Sequence, residues 1–238
     1  MYEMTNVIPF VDAGADGKLK LHNAVAMMMN CCQFQEYQEE KFCAYLRQNH
    51  LAVFLFSIQL DILRMPEFRE KVKTAVKIYG CRSIYGLRQI TMHDEKNDLC
   101  LIADATGAFF DIEARKAVKL EPAALGVVYD EPLPMECLGR KIPIPATDPE
   151  TAPALTVTRS LLDPNGHLTS HGYFALAGDV LPPDFSFDRV RMEFKQQASP
   201  DEKVTPFLYR DGEKRIVVDM RGESHLSCAV AEFTTRPR

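Results

Sequence analysis

The sequence predicts an α+β chain built of two tandem modules, each a long helix packed on a curved antiparallel sheet. Three observations predict it: an ordered internal repeat, a proline-dense stretch between the two copies, and in each copy a helical pattern followed by short β-rich runs. With 238 residues, 46% hydrophobic and 26% charged, the chain is long enough for two modest cores.

The repeat rests on two matches found in the same order. GKLKLHNAV, Gly17 to Val25, pairs with GHLTSHGYF, Gly166 to Phe174, which sets Gly17 on Gly166, Leu19 on Leu168 and His22 on His171. IQLDILRMPEFREKV, Ile58 to Val72, aligns without gaps on VRMEFKQQASPDEKV, Val190 to Val204, sharing an acidic residue at Asp61 and Glu193 and a closing Glu-Lys-Val. Chance supplies one such match far more readily than two in order.

The first match leads into a helix in each copy. One runs roughly over residues 22–48, apolar nearly all round at AVAMMM and polar further on, as expected of a helix with one deeply buried end. The other starts near Ser170 and is stopped by Pro182 and Pro183. After the second match come the β-rich runs: KTAVKIYG, SIYGLRQITM and LCLIADATGAFFD in the first copy, TPFLYR, RIVVDM and LSCAVAEFTT in the second. Turn signals at Asp94 to Asp98 and at Asp211-Gly212 separate them.

Residues 121–153 hold seven of the fifteen prolines, a density that neither a helix nor a central strand tolerates, so they read as a connector. The chain thus divides into an N-terminal module over 1–120, the connector over 121–153, and a C-terminal module over 154–238 that carries the active site. A helix wrapped by a curved sheet is the hotdog arrangement. Two such modules are expected to pair edge to edge into a double hotdog, since each sheet otherwise leaves an unpaired edge strand.

Composition narrows the function. A formal charge of -5 lacks the basic excess of a nucleic-acid binder. The seven cysteines are scattered, odd in number and form no C-x-x-C pair, which fits neither a disulfide framework nor a zinc knuckle. MYEMTNVIPFVDAGADG has no signal-peptide pattern and no run of 18 apolar residues occurs, so a soluble cytoplasmic protein is expected.

Chemistry concentrates in SLLDPNGHLTSHGYF, Ser160 to Phe174, where Asp163, Asn165, His167 and His171 surround a turn that opens a helix. Asp-Pro-Asn-Gly is itself a turn signal, so architecture alone accounts for Asp163 and Asn165. The repeat separates the two readings, because an architectural turn should look alike in both copies. Here His167 meets Lys18, and Asp163 with Asn165 meets the looser run from Asp12 to Asp16. The helix that follows offers unpaired N–H groups and a positive dipole end, which suit the oxyanion of a thioester under attack by water. A carboxylate, an amide and an imidazole within five residues suit the water and its protons. Metal ligation by His167 and His171 is the lesser reading, because a helix cap at Thr169 or Ser170 falls between them. Cys31-Cys32 reads as packing rather than as a nucleophile, and Met27-Met28-Met29 as packing that also suits an acyl pocket.

The order of elements, with LLDPNGHLTSHGYF in the second half and DGKLKLHNAV and ILRMPEFREKV in the first, resembles the acyl-ACP thioesterase family of double-hotdog proteins over nearly the whole chain. The resemblance implies hydrolysis of fatty acyl-ACP to free fatty acid and acyl carrier protein, with no cofactor and no metal. It puts Asp163, Asn165 and His167 on the family's catalytic aspartate, asparagine and histidine. It also puts Gln197 on the family's glutamate, at the end of a Glu-Tyr-x-x-Glu pattern on the next strand that matches EFKQQ, Glu193 to Gln197. Glutamine holds a water but cannot accept its proton, so Asp163 would carry the base role. Thr169-Ser170 stands where the family usually has two asparagines, and the chain lacks tryptophan, with Phe54 near a usual tryptophan position. Acyl carrier protein is acidic, and Arg189, Arg191 and Lys195 are candidates to dock it. An acyl-CoA thioesterase and a non-catalytic acyl-binding protein are the alternatives, and the oligomeric expectation is a monomer or a homodimer.

Overall fold

The computed structural model describes residues 1–120 and 128–236. They form two compact units. The first comprises Met1–Lys20, Ala26–Ile58 and Ile62–Cys137; the second takes in Leu21–Val25, Gln59–Asp61 and the chain from Leu138 onward.

In the first unit β1 (Tyr2–Val7), β2 (Leu51–Ile62), β3 (Lys71–Arg82), β4 (Tyr85–Asp94) and β5 (Leu99–Asp111) lie in the order β1-β3-β4-β5-β2, with the short β6 (Lys116–Ala117) on β5. Helix α1 (Leu21–Gln38) buries Ala24, Val25, Met28, Cys31, Cys32 and Gln35, the spacing of a single helical face. The Cys31 thiol donates to the Thr74 carbonyl of β3 at 3.5 Å, and Glu36 pairs with Arg88 of β4 at 2.5 Å. Burial, with the neighbouring Cys32 thiol, pushes the Cys31 thiol up to about 12, and burial pushes Cys32 up to about 11. Both are packing residues.

The expected single helix over 22–48 is corrected: it breaks at Glu39 (φ −84°, ψ 73°), and α2 (Glu40–Gln48) follows. Charge accounts for the position of the break. Glu36, Glu39 and Glu40 would crowd negative charge inside one helix. At the break, Glu40 instead sits at the favourable positive end of a new helix dipole. At the break the Glu36 carbonyl accepts the Glu39 N–H at 3.1 Å and the Cys43 thiol at 2.9 Å.

In the second unit β7 (Glu150–Thr151), β9 (Arg189–Phe194), β10 (Lys203–Arg210), β11 (Arg215–Arg221) and β12 (Ser227–Thr234) lie in the order β9-β12-β11-β10-β7, with β8 (Leu155–Thr156) on β10 and α3 over Ser170–Asp179. Antiparallel registers run from Phe194 opposite Ala229 and from Arg210 opposite Ile216. The β-rich runs read from the sequence coincide with β3, β4, β5, β10, β11 and β12 to within two residues.

Strand β9 reads RVRMEF and alternates strictly, yet both of its faces are buried. Phe194 meets Tyr173 of α3 edge to face at 5.8 Å, which gives Val190, Met192 and Phe194 to the helix side. The polar face lies under the second part of the connector. Arg191 donates to the carbonyls of Gly139 and Lys141, Glu193 accepts from the Ile142 N–H at 3.1 Å, and Arg215 donates to the Pro143 carbonyl at 2.9 Å. Between these contacts Ile142 packs on Tyr209, Val217 and Val230. The connector's first seven residues, 121–127, lie outside the described residues. Its next part is tied to the first unit in the same manner, with Leu133 and the Gln89 amide exchanging two hydrogen bonds of 2.7 and 2.8 Å. Residues 128–149 form neither helix nor strand.

The charges on that face are paired. Glu232 accepts from Arg191 at 2.5 Å and from Arg215 at 2.7 Å, and Arg189 forks onto Asp61 at 2.6 and 2.8 Å. Arg189 and Arg191 are 5% and 9% exposed, so the expectation that they dock a carrier protein is corrected: both are committed to buried ion pairs. Lys195 remains at the surface.

Two outcomes follow from this packing. Glu232→Ala leaves the buried Arg191 without its carboxylate and Arg215 with Asp211 alone, and should lower stability by about 3–5 kcal/mol in urea unfolding, with faster tryptic cleavage at Arg140 and Lys141. Of the seven thiols, the exposed Cys137 should react first with a thiol reagent in native buffer, while Cys31, Cys32, Cys100 and Cys228 should react only on denaturation.

Candidate active site

The turn before the helix is built the same way in both units. In the first, a single 3-10 turn at Phe10–Asp12 leads to an Ala13–Leu19 bridge. Gly14 N–H donates to Lys18 O at 2.7 Å, Gly17 N–H to Gly14 O at 3.0 Å and Lys20 N–H to Asp12 O at 2.9 Å. In the second, the 3-10 turn is Arg159–Leu161 and the bridge Leu162–Leu168. Asp163 N–H donates to His167 O at 2.8 Å, Gly166 N–H to Asp163 O at 2.9 Å and Thr169 N–H to Leu161 O at 3.0 Å. Gly17 and Gly166 take φ of 77° and 79°, the left-handed region that glycine enters without strain.

This match fixes which residues correspond: Asp163 stands on Gly14, Asn165 on Asp16 and His167 on Lys18. Each turn also needs a carboxylate at the same place. Asp16 Oδ1 accepts the Lys18 N–H at 3.1 Å; in the second unit Asp163 Oδ1 accepts the His167 N–H at 3.0 Å and the Asn165 N–H at 2.8 Å. A Cβ added at Gly14 would come within 3.0 Å of Asp16 Oδ1, so the two carboxylates use the same space from different positions. One oxygen of Asp163 is therefore structural. Its second oxygen, the Asn165 amide and the His167 imidazole make no side-chain hydrogen bond among the described residues. Asp163 and His167 are half-buried and Asn165 is exposed.

Helix α3 starts directly behind them. Thr169 caps it by accepting the Gly172 N–H at 3.2 Å, which leaves the Ser170 and His171 N–H groups of the first turn without an acceptor among the described residues. His171 lies 3.4 Å from the Thr169 hydroxyl. Burial and the nearby His22 hold its imidazole below the usual histidine range, so it is neutral at pH 7.

Gln197 departs from expectation. It lies beyond the end of β9, in irregular chain, exposed, and its side chain bonds none of the other three residues. Cys228 O takes the N–H groups of Lys195 and Gln196 at 2.8 and 3.1 Å, which ends the strand's regular pairing two residues earlier. Gln197 is nevertheless held, because the Tyr173 hydroxyl of α3 accepts the Ala198 N–H at 3.0 Å and donates to Gln196 O at 3.5 Å. Tyr173, which sequence analysis did not single out, thus holds the chain on both sides of Gln197. The signal was present in the repeat, where Tyr173 stands on Ala24.

Among the described residues, Glu70, Asp94 and Cys100 have ligand atoms within 4.8 Å of one another, and neither His167 nor His171 belongs to such a group. Arg64 already neutralises the two carboxylates at 2.5 and 2.8 Å, and burial pushes the Cys100 thiol up to about 11. No helix among the described residues is long and apolar enough to cross a membrane.

Comparison with known proteins supplies the family. The chain resembles an acyl-ACP thioesterase from Bacteroides thetaiotaomicron, with 18% identity and a TM-score of 0.87 over 98% of this chain and 96% of that one. It also resembles the 12:0-ACP thioesterase from Umbellularia californica, with 12% identity and a TM-score of 0.86 over 100% and 97%. At these identities the likeness bears on the fold, which is the expected α+β class of tandem hotdog modules. No curated protein matches. The model of the acyl-ACP thioesterase N-terminal domain matches residues 1–126, a segment that ends before the Asp163 turn. The chain belongs to the acyl-ACP thioesterase family, whose reaction is the hydrolysis of acyl-ACP.

Proposed function

We propose that hydrolysis of the fatty acyl thioester takes place at the Asp163–His167 turn, in the module of residues 154–238. The observation that carries this reading is the divergence of two turns with one backbone design. Lys18 and Gly14 suffice for architecture in the first unit, whereas the second places an imidazole, an amide and a half-free carboxylate there.

The chemistry runs as follows. The second oxygen of Asp163 takes a proton from water as the water attacks the thioester carbonyl, since Gln197 has no basic oxygen to offer. Negative charge on the carbonyl oxygen is met by N–H groups at the start of α3. His167 orients the water, then takes that proton from Asp163 and passes it to the departing thiolate, so that Asp163 ends ionised and His167 neutral as they began, and Asn165 and Gln197 hold the substrate or the water by hydrogen bonds. The products are the free fatty acid and the carrier thiol. A monomer or homodimer acting in the cytoplasm on acyl carrier protein is part of the proposal, as is Lys195 in docking that carrier.

The same turn suits an acyl-CoA, because the reacting group is identical. Gln197, with no carboxylate and no hydrogen bond to the turn, favours one further reading, an acyl-binding protein without turnover.

Thiol release from a panel of acyl-ACPs and matched acyl-CoAs tests these readings. Asp163→Asn keeps an oxygen on the His167 and Asn165 N–H groups but removes the base. It should leave the melting temperature nearly unchanged and lower kcat at least about 100-fold. Asp163→Ala should lose both activity and part of the stability, about 1–3 kcal/mol from two unmatched N–H groups. Full activity in Asp163→Asn would overturn the assignment. Gln197→Glu should raise kcat if its segment reaches the water. An inactive parent rescued by Gln197→Glu would make acyl binding the function.

A further inference from the structure

The two turns differ once more, on their outer edge. In the first unit the turn is stapled to residues 66–68 by an antiparallel bridge, Lys18 opposite Glu67. Leu19 N–H donates to Pro66 O and Phe68 N–H to Gly17 O, each at 2.8 Å. The segment that follows is conserved in design between the units. Ile8 N–H bonds Glu70 O and Arg69 N–H bonds Ile8 O, just as Val157 N–H bonds Glu202 O and Asp201 N–H bonds Val157 O; Arg69 and Asp201 share a positive φ. By this register Ala198, Ser199 and Pro200 stand where Pro66, Glu67 and Phe68 stand.

The staple itself is missing from the second unit, for a chemical reason. Pro200 has no N–H to give Gly166 O. Ala198 is held instead by the Tyr173 hydroxyl. Gly166 O and Leu168 N–H therefore have no hydrogen-bond partner among the described residues, and they flank His167. An acceptor and a donor spaced two residues apart on one edge ask for a complementary extended chain. The first unit shows what such a chain must carry: the carbonyl of one amide and the N–H of the next.

We infer that this edge binds the arm bearing the thioester through its two successive amides, in the place that residues 66–68 fill in the first unit. A pantetheine arm has that order of groups, with one extra methylene between the amides. One carbonyl accepts from Leu168 N–H, and the N–H nearer the sulfur donates to Gly166 O. The thioester is thereby drawn along the edge beside His167. This inference rests on the thioesterase reading of the same turn and adds the substrate arm to it.

Equilibrium binding of S-alkyl thioethers, which cannot be hydrolysed, tests it. The same alkyl chain is carried on pantetheine with two amides, on N-acetylcysteamine with one, and on 2-mercaptoethanol with none. The full chain should bind the pantetheine thioether about tenfold tighter than the mercaptoethanol one, with N-acetylcysteamine between, as two modest hydrogen bonds allow. Pro200→Ala returns the missing donor, and Tyr173→Phe with Pro200→Ala also frees Ala198. The advantage should shrink in the single variant and vanish in the double one as the chain's own staple closes. Equal affinities across the three compounds would overturn the inference, as would an undiminished advantage in the double variant. Coenzyme A and acyl carrier protein share the arm, and extra affinity of one alkylated carrier over pantetheine identifies the source. Binding needs no turnover. A chain that discriminates the arms yet hydrolyses nothing loses only the catalytic reading, and one that hydrolyses every thioester with equal kcat/KM loses only the arm.

Discussion

Prolines break the connector's capacity to pair as a strand over residues 128–149, and the fold depends on how the carbonyls and remaining N–H groups there are satisfied without a sheet. Side chains do it. Gln89 serves Leu133, Arg191 serves Gly139 and Lys141, Glu193 serves Ile142, and Arg215 serves Pro143. These are polar residues on strands whose other face supports a helix, so each strand is buried twice, by apolar contact on one side and by paired charge on the other. Removing a carboxylate from that face is expensive because the arginines remain buried behind it. Residues 128–149 thus act as a covering layer, although they form neither helix nor strand.

The second theme is divergence on a repeated backbone. The same bridge, the same positive-φ glycine and the same carboxylate-capped N–H occur before both helices, which makes the first turn an internal control for the second. What the second adds is a carboxylate, an amide and an imidazole at Asp163, Asn165 and His167, and a freed edge at Gly166 and Leu168. The carboxylate is divided: one oxygen shapes the turn and the other has no hydrogen-bond partner among the described residues. That division explains why aspartate suits position 163, where glycine serves the first unit.

Much of this was legible in the sequence. The repeat and the β-rich runs rest on periodicity, which is local, and the structure keeps them. The helix break at Glu39 was less legible, because it follows from three glutamates accumulating where a helix dipole is negative, while hydropathy runs on through the segment. Arg189 and Arg191 read as a surface patch in the sequence but are buried, since only tertiary structure reveals that the connector covers them. Gln197 was placed on a strand by motif spacing, whereas the Cys228 carbonyl ends the regular pairing before it. Tyr173 and Pro200 were visible as departures from the repeat, but their meaning required the hydrogen bonds of the first unit as a reference.

The peptide linkage between the units also has a genetic consequence. Two copies encoded by one gene as separate identical subunits would have to change together: a proline at position 200 or an aspartate at position 163 would appear in both halves of any symmetric assembly. Joined in one chain by residues 121–153, each half mutates alone. One copy is then free to retain the staple that stiffens it, while the other gives up that staple for a reactive edge. Asymmetry of this kind is open to a tandem protein and closed to a homodimer of single modules.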